Sequence, residues 1–325
     1  MEWTAETWEF VGRYLGAGFA LGMGGIGAAV GMGMAAGKAN EAMMRQPQQQ
    51  SVVLRTMLIG QAVGGSPSIF ALVIGLLILF KSSSASLAGP EFAAAVIAAG
   101  LSIGLGCFGS GLGCGWPGGS GCEGVARNPR RATSVSSSMI IGQAVAQSPS
   151  IFATVVALIL LFVPVSATGY AAFGICLGAG VAMGAGALGP GIGSGTTAGG
   201  AVHGSSRWPR SQAATLRTML IAQAVSQTPA IFGMLVAFIM LFAMRDLEGD
   251  IIGFAKTFGA GVAVGFGGVG PGIGSGTAGE FACRVTAARP RTDALILRTM
   301  LIGQAVSQST AIYSLIIALV LLYVV

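Results

Sequence analysis

The chain has 325 residues, of which 53% are hydrophobic and only 9% are charged, and its formal net charge is +6. Soluble globular domains carry about 25% charged residues, so this composition excludes a soluble protein and indicates a membrane protein. The basic residues are separated by apolar segments and form no continuous patch, so the positive charge does not indicate nucleic-acid binding.

An internal repeat organises the chain. The sequence Gly60-Gln61-Ala62-Val63 recurs almost unchanged with its glutamine at positions 143, 223 and 304, at intervals of 82, 80 and 81 residues. Each repeat contains a glycine-rich apolar segment, a short loop with arginine and proline, and a second apolar segment. We place the repeats at 1–82, 83–165, 166–245 and 246–325, and their second segments at 57–80, 139–162, 219–242 and 300–325.

These segments predict transmembrane helices. About 20 apolar residues are enough for a helix to span a bilayer, and each second segment reaches that length. The alternation of apolar and polar residues that a membrane β-barrel requires does not occur. The sequence therefore predicts an all-α integral membrane protein of four tandem helical hairpins, eight helices in all.

The distribution of positive charge predicts the orientation of the hairpins. Thirteen of the 17 Lys and Arg residues lie on the side of the arginine and proline loops. Basic residues are concentrated on the cytoplasmic side of membrane proteins. We expect these loops in the cytoplasm and both termini on the outer side of a cell membrane or inner membrane.

Glycines occupy the same six places in the first helix of all four repeats. In the first repeat these helix-packing positions are Gly18, Gly22, Gly24, Gly27, Gly31 and Gly33. At 100° per residue they form two stripes on opposite faces of a helix. Small residues mark close helix contacts in membranes, so such a helix contacts a similar helix on each side. The pattern favours an inner layer of glycine-rich helices, surrounded by the second helices, in part of a closed ring.

Several motifs together resemble the c-subunit, the rotor-ring proteolipid, of rotary F-type ATP synthases. They are Gly-Pro-Gly-Ile-Gly-Ser-Gly at 189–195 and 270–276, Arg45-Gln46-Pro47, and Arg-Thr-Met-Leu-Ile-Gly-Gln-Ala-Val at 55–63 and 298–306. The resemblance implies a non-catalytic rotor-ring protein, in a homo-oligomeric or mixed ring, that turns against the a-subunit of the stator and carries H⁺ or Na⁺. It also implies that the central stalk contacts the cytoplasmic loops, at Arg45, Gln46, Pro47, Arg127, Asn128, Pro129, Arg207, Trp208, Pro209, Arg289 and Pro290.

The carboxylate that this family uses to carry ions is missing. In each second helix the aligned position is instead Gly65, Gln147, Gln227 or Gln308. Neither residue type gains or loses a proton near neutral pH. All eleven acidic residues lie at helix ends, in loops or near the termini. Direct ion carriage by the usual route is therefore not expected.

Neutral polar residues remain around these positions: Ser66, Ser148, Thr228, Ser309, Ser194 and Ser275. One interpretation is a polar patch that joins helix two to helix one, because three prolines free the carbonyls of Val63, Val145 and Val225 inside the membrane. The other is a weak, carboxylate-free Na⁺ site formed by Gln308, Ser309, Ser275 and the carbonyl of Val306, with Tyr313 as an outer donor.

The sequence supports two functions. The first is a rotor protein that couples H⁺ or Na⁺ movement to ATP synthesis or hydrolysis, and the second is a structural or pore-forming ring protein that no longer transports ions. No CxxC pair is present, and the single histidine, His203, has no second ligand nearby in the sequence. We expect no metal site and no cofactor other than a weakly bound Na⁺. The sequence leaves open whether a carboxylate-bearing hairpin protein shares the ring.

Overall fold

A computed structural model describes residues 4–82, 89–165, 167–244 and 250–324. These residues form eight helices long and apolar enough to cross a membrane, two in each predicted repeat. No strand occurs among them. The all-α expectation is confirmed for these residues, and the predicted repeat boundaries lie at or within residues 83–88, 166 and 245–249, outside the described part of the chain. The helices are α1 (Ala5–Arg45), α2 (Pro47–Phe80), α3 (Gly89–Arg127), α4 (Pro129–Phe162), α5 (Gly169–Arg207), α6 (Pro209–Ala243), α7 (Ile251–Ala288) and α8 (Pro290–Tyr323).

Each hairpin turns within a single residue. In the first hairpin, Gln46 lies between α1 and α2, and its backbone N–H donates to the carbonyl of Ala42 at 3.0 Å. Pro47 then begins a short 3₁₀ turn that leads into α2. Proline suits this position because the first N–H groups of a helix have no partner within the helix. The second helices thus begin earlier than the predicted apolar segments, because polar residues after the proline continue the helix.

The glycine-rich helices pack side by side in chain order, α1 on α3, α3 on α5 and α5 on α7. In α3, Gly100 and Gly104 lie against α1, while Gly109 and Gly113 lie against α5 on the opposite side. A Cβ atom on any of these glycines would overlap with the backbone of the neighbouring helix. Both predicted stripes are therefore helix contacts, and the absent side chains let the backbones approach closely.

The first helix uses only one of its two stripes. Gly24, Gly27 and Gly31 face α3, and Gly24 also meets Ala71 of α2. No atom lies within 4 Å of a Cβ built on Gly18, Gly22 or Gly33. Because α1 is the first helix of the row, this second stripe lies on an open edge of the molecule.

The even-numbered helices form a second layer. The helix α2 packs between α1 and α3, α4 packs between α3 and α5, and α6 packs between α5 and α7. The last helix, α8, packs on α7 and α6. Helices α3 and α5 have neighbours on every side and are the most buried. The fold is a two-layer row of four hairpins with one open edge at each end.

Candidate functional site

Three second-layer helices are interrupted near their middle by a proline. Pro67, Pro149 and Pro229 follow turns at Gly65, Gln147 and Gln227, which separate the two halves of α2, α4 and α6. Proline has no backbone N–H, so the carbonyl four residues earlier loses its helical donor. The carbonyls freed in this way belong to Val63, Val145 and Val225. In α8 the equivalent residue is Thr310, and the helix is continuous from Asp293 to Tyr323.

Each freed carbonyl accepts a hydrogen bond from the following hairpin. The side-chain Nε2 of Gln147 donates to Val63 O at 2.6 Å. The same bond joins Gln227 to Val145 O at 2.8 Å, and Gln308 to Val225 O at 3.1 Å. An unpaired carbonyl in the membrane interior costs several kcal/mol. These glutamines therefore complete the bond that proline removes, and they do so between hairpins.

A second row of glutamines, the lower row, lies one turn before Gln147, Gln227 and Gln308, which form the upper row. The Nε2 of Gln143 donates to Gly60 O of the preceding hairpin at 2.9 Å and to Cys114 O of its own hairpin at 3.0 Å. Gln223 and Gln304 make the same two kinds of bond, at 2.9 to 3.1 Å. Gln61 belongs to the first hairpin and donates only to Met32 O, at 3.1 Å. Together the two rows connect each hairpin to the next near the middle of the second-layer helices.

The residue of the first helix that lies nearest the upper row differs from hairpin to hairpin. Gln308 Nε2 donates to Ser275 Oγ at 2.9 Å, and Gln147 Nε2 lies 3.6 Å from Cys114 Sγ. Ser194 instead shares a hydrogen bond with Ser226 at 3.1 Å. The sequence expectation that helix two is joined to helix one describes part of the pattern, since the glutamines also bond to the preceding hairpin.

The hydroxyl groups beside the glutamines bond mainly within their own helices. Ser66 donates to Ala62 O at 3.5 Å, and Thr228 donates to Val225 O at 2.9 Å. Ser309 donates to Val306 O at 2.8 Å. Ser148 is half-buried next to Gln147. The hydroxyls of Ser66, Thr228 and Ser309 therefore donate within their own helices.

The predicted Na⁺ ligands divide into two groups. Gln308 and Ser275 are in contact, and the amide oxygen of Gln308 accepts no hydrogen bond from the described residues. The carbonyl of Val306 is paired with Ser309, and the ring of Tyr313 is 62% exposed. The structure therefore brings together the amide and one hydroxyl, whereas Val306 and Tyr313 are exposed and Ser309 is half-buried.

Acidic side chains lie away from both glutamine rows in the described part of the chain. Glu280 forms an ion pair with Arg284 at 2.6 Å near the end of α7. At the same end of the molecule, Lys38 pairs with Glu41 at 3.1 Å and Glu123 at 3.4 Å. These pairs lie within four residues or on adjacent helix ends, where water can solvate them.

The residues predicted to face a stalk lie together at the turns of the four hairpins. Arg45, Gln46 and Pro47 are exposed, and their counterparts in the other hairpins are exposed or half-buried. The four turns occupy the same end of the row because every hairpin has the same orientation and consecutive hairpins pack side by side. They form one surface of basic and proline residues.

In the sequence the lower glutamine row is evident only as a marker of the repeat. A signal for its role was present, because an amide that recurs in an apolar helix must find hydrogen-bond partners inside the membrane. The partner atoms depend on how adjacent hairpins align, and a single sequence does not give that alignment.

Comparison with known proteins identifies this architecture. A family model for the ATP synthase C-subunit matches residues 15–78, 97–160, 177–240 and 258–321, one match in each hairpin. The chain is similar to the ATP synthase c-subunit of Alkaliphilus oremlandii, with 52% identity over 68 residues, which covers 21% of this chain and 76% of that protein.

A longer relative aligns with most of the chain. The K-subunit of the A-type ATP synthase of Methanocaldococcus jannaschii is 30% identical over 228 residues, which covers 70% of this chain and 94% of that protein. The four family matches account for most of the chain. The chain therefore belongs to the ATP synthase C-subunit family, with four of the family's hairpins in one polypeptide.

Proposed function

We propose that the chain is a non-catalytic rotor-ring protein of a membrane ATP synthase or ATPase, in which its own glutamine positions carry no ions. The observation that carries this proposal is the row of bonds from Gln147, Gln227 and Gln308 to the preceding hairpin. A carboxamide in this place is neutral at every physiological pH. It supplies the hydrogen bond of a protonated acid, but it has no ionised form to bind and release a proton.

The partners follow from membership of such a ring. The basic turns with Arg45, Arg127 and Arg207 would contact the central stalk from the cytoplasmic side, with the a-subunit of the stator beside the second layer in the membrane. The excess of Lys and Arg on the turn side supports this orientation, with both termini outside. A ring that couples H⁺ or Na⁺ movement to ATP synthesis or hydrolysis then requires ionisable groups from another protein in the ring.

Na⁺ is the ion that this chain is best able to bind by itself. Gln304 and Gln308 each have a buried amide oxygen that accepts no hydrogen bond from the described residues, and Ser275 lies beside them. All these ligands are neutral, so a bound Na⁺ keeps its full charge at a depth where a charge costs at least about 2.5–3.5 kcal/mol. We propose that any such binding is weak.

The second candidate is a structural or pore-forming ring protein with the same hairpins and no transport. The hydrogen-bonded state of all three upper-row glutamines favours it, because the interfaces are held together without any exchangeable ion.

Co-purification separates the two candidates. We expect an affinity-tagged chain, extracted from its native membrane in mild detergent, to carry stator and stalk proteins with it. A matched variant, Arg45→Glu with Arg127→Glu and Arg207→Glu, should retain the stator and lose the stalk. Recovery of the chain as a homogeneous ring, free of other ATPase proteins at every detergent concentration, would favour the structural protein and contradict the rotor proposal.

A further inference from the structure

A cavity of about 650 Å³ lies in the layer of glycine-rich helices, at the end of the molecule opposite the hairpin turns. Its lining residues come from the first parts of α1, α3, α5 and α7. Sites for small molecules typically have about 300–1,000 Å³ of space, apolar walls and a few polar groups. The cavity therefore has the size of a ligand site, and its wall residues show which ligand it suits.

Aromatic rings form much of the cavity wall. Trp8, Tyr170, Phe173 and Phe254 all line it. The rings of Trp8 and Phe173 meet edge to face, with their centroids 6.4 Å apart and their planes at 79°. Phe254 stacks on Phe258 with a centroid distance of 5.5 Å. Because three different helices supply the lining rings, they converge on one space.

A single carboxylate accompanies these rings. Among the described residues that line the cavity, Glu91 alone carries a charge. Its Oε1 accepts a hydrogen bond from the backbone N–H of Gly169 at 3.3 Å. It forms no ion pair with any described residue. The cavity thus combines an aromatic wall with a negative charge that has no positive partner.

We propose that this cavity binds a quaternary ammonium ion. Such a cation is attracted to the faces of aromatic rings, and cages of aromatic side chains are a common way to bind it. Its alkyl groups suit the apolar wall, and its charge complements that of Glu91. One chain supplies the whole site, so this inference is independent of the proposed function.

Other cations suit the cavity less well. Ca²⁺ takes six to eight oxygen ligands, and Mg²⁺ requires octahedral coordination. The lining side chains offer only the carboxylate of Glu91 and the hydroxyl of Tyr170 as oxygen ligands. A primary ammonium group has three N–H donors that need acceptors. A quaternary ammonium ion has no donor, so the shortage of acceptors costs it nothing.

The site occurs once in the chain because the repeats differ at these positions. The equivalent residues Trp8, Pro90, Tyr170 and Ile251 all line the cavity, and two of them are aromatic. Glu91 has one acidic counterpart in the other repeats, Glu9. Glu9 pairs with Arg13 at 3.5 Å, so it is not available to a ligand in the same way.

The proposal is tested by equilibrium binding of choline to the purified chain. The chain is placed in lipid discs of phosphatidylethanolamine and phosphatidylglycerol, which contain no quaternary ammonium group. We expect choline to bind at least about tenfold more tightly than its neutral isostere, in which a carbon atom replaces the nitrogen. Equal affinities, or no choline binding above that of empty discs, would overturn the proposal.

Two matched pairs of variants assign the binding to this cavity. Glu91→Gln removes the charge and keeps an oxygen for the N–H of Gly169, so choline should bind about tenfold more weakly, with the isostere unaffected. Glu6→Gln, an exposed acid in the first turn of α1, is its control and should change neither affinity. An equal loss with Glu6→Gln, or unchanged choline binding with Glu91→Gln, would contradict the assignment.

The second pair tests the aromatic wall. Phe173→Leu keeps an apolar side chain but removes a ring, and we expect choline to bind about fivefold more weakly. Phe108→Leu, a half-buried residue of α3 that does not line the cavity, should have no effect. Equal effects of the two substitutions would contradict a role for the rings.

A quaternary ammonium group comes either from a soluble cation or from the headgroup of a choline lipid. Discs that also contain phosphatidylcholine distinguish the two sources. Weaker binding of free choline in those discs would support the headgroup as the ligand, and unchanged binding would support the soluble cation. These measurements require neither ATPase activity nor other subunits, so a failure of the proposed function would leave the result unaffected.

Discussion

A side-chain amide in the middle of an apolar helix has two N–H groups that need acceptors. The carbonyl four residues before a proline in a helix has lost its backbone donor. In this chain the side-chain Nε2 of Gln147 donates to the carbonyl oxygen of Val63 on the preceding hairpin, at 2.6 Å. The bond is therefore worth more than an average hydrogen bond, because its removal leaves a buried acceptor unpaired.

We predict that Gln147→Leu destabilises the chain by about 1–3 kcal/mol, the cost of an unpaired buried carbonyl. Pro67→Ala restores the helical donor to Val63 O, so the double variant should recover most of that loss. Reversible unfolding in mixed micelles measures both. Gln223→Leu is the matched control, because its acceptor carbonyls keep their helical donors, and its two lost bonds should cost about 0.6 kcal/mol each. Additive effects of Gln147→Leu and Pro67→Ala would contradict the pairing.

Much of this site was predictable at the residue scale. The sequence identified Gln147, Gln227 and Gln308, the loss of the acid, and the carbonyls that proline frees. It did not identify which hairpin supplies the donor to Val63, because that depends on the relative position of two helices 84 residues apart in the chain. Tyr313, expected as an outer donor to Gln308, is exposed, because five residues on a helix turn its side chain about 140° away from that of Gln308.

At the scale of helices, glycine matters wherever two backbones meet. Gly113 of α3 packs against the backbone of Gly191, whereas Gly18 of α1 faces open space. The opposed stripes were predictable from periodicity alone. The starts of the second helices were not, because polar residues such as Gln50 and Arg55 extend the helix past the apolar run and periodicity of hydrophobic residues does not detect them.

We predict opposite effects for two alanine substitutions. Gly113→Ala should destabilise the chain by about 1–3 kcal/mol through overpacking. Gly18→Ala should stabilise the isolated chain by up to about 1 kcal/mol, since alanine is the better helix former. The same Gly18→Ala chain should associate more weakly with its neighbour in the proposed ring. Unfolding and association are measured on each variant, and equal destabilisation by both substitutions would show that α1 has a neighbour on that side within one chain.

At the scale of the whole molecule, the four hairpins have the same orientation, so their basic turns lie at one end. Four turns with the same orientation place the arginines on one surface, and the row ends in two open edges. This repetition gives the chain a direction across the membrane as well as around a ring.

We predict that a thiol reagent unable to cross membranes labels Gln48→Cys, in an exposed part of the first turn, only from the cytoplasmic side. Thr168→Cys, in the exposed link before α5, should react only from the outer side. Sealed vesicles of both orientations provide the comparison. Labelling of Gln48→Cys from outside intact cells would reverse the proposed orientation.

The central claim is that the upper-row glutamines hold the hairpins together and carry no ions. Its most direct test is ATP-driven ion uptake into vesicles by a complex whose ring contains only this chain, with carbodiimide labelling of buried protonated acids as a second readout. We predict no uptake and no labelling for the unmodified chain. Gln147→Glu with Gln227→Glu and Gln308→Glu should become reactive and gain ion flux, whereas Gln48→Glu, in water, should change neither. Coupled H⁺ or Na⁺ uptake by a ring of the unmodified chain would contradict the claim.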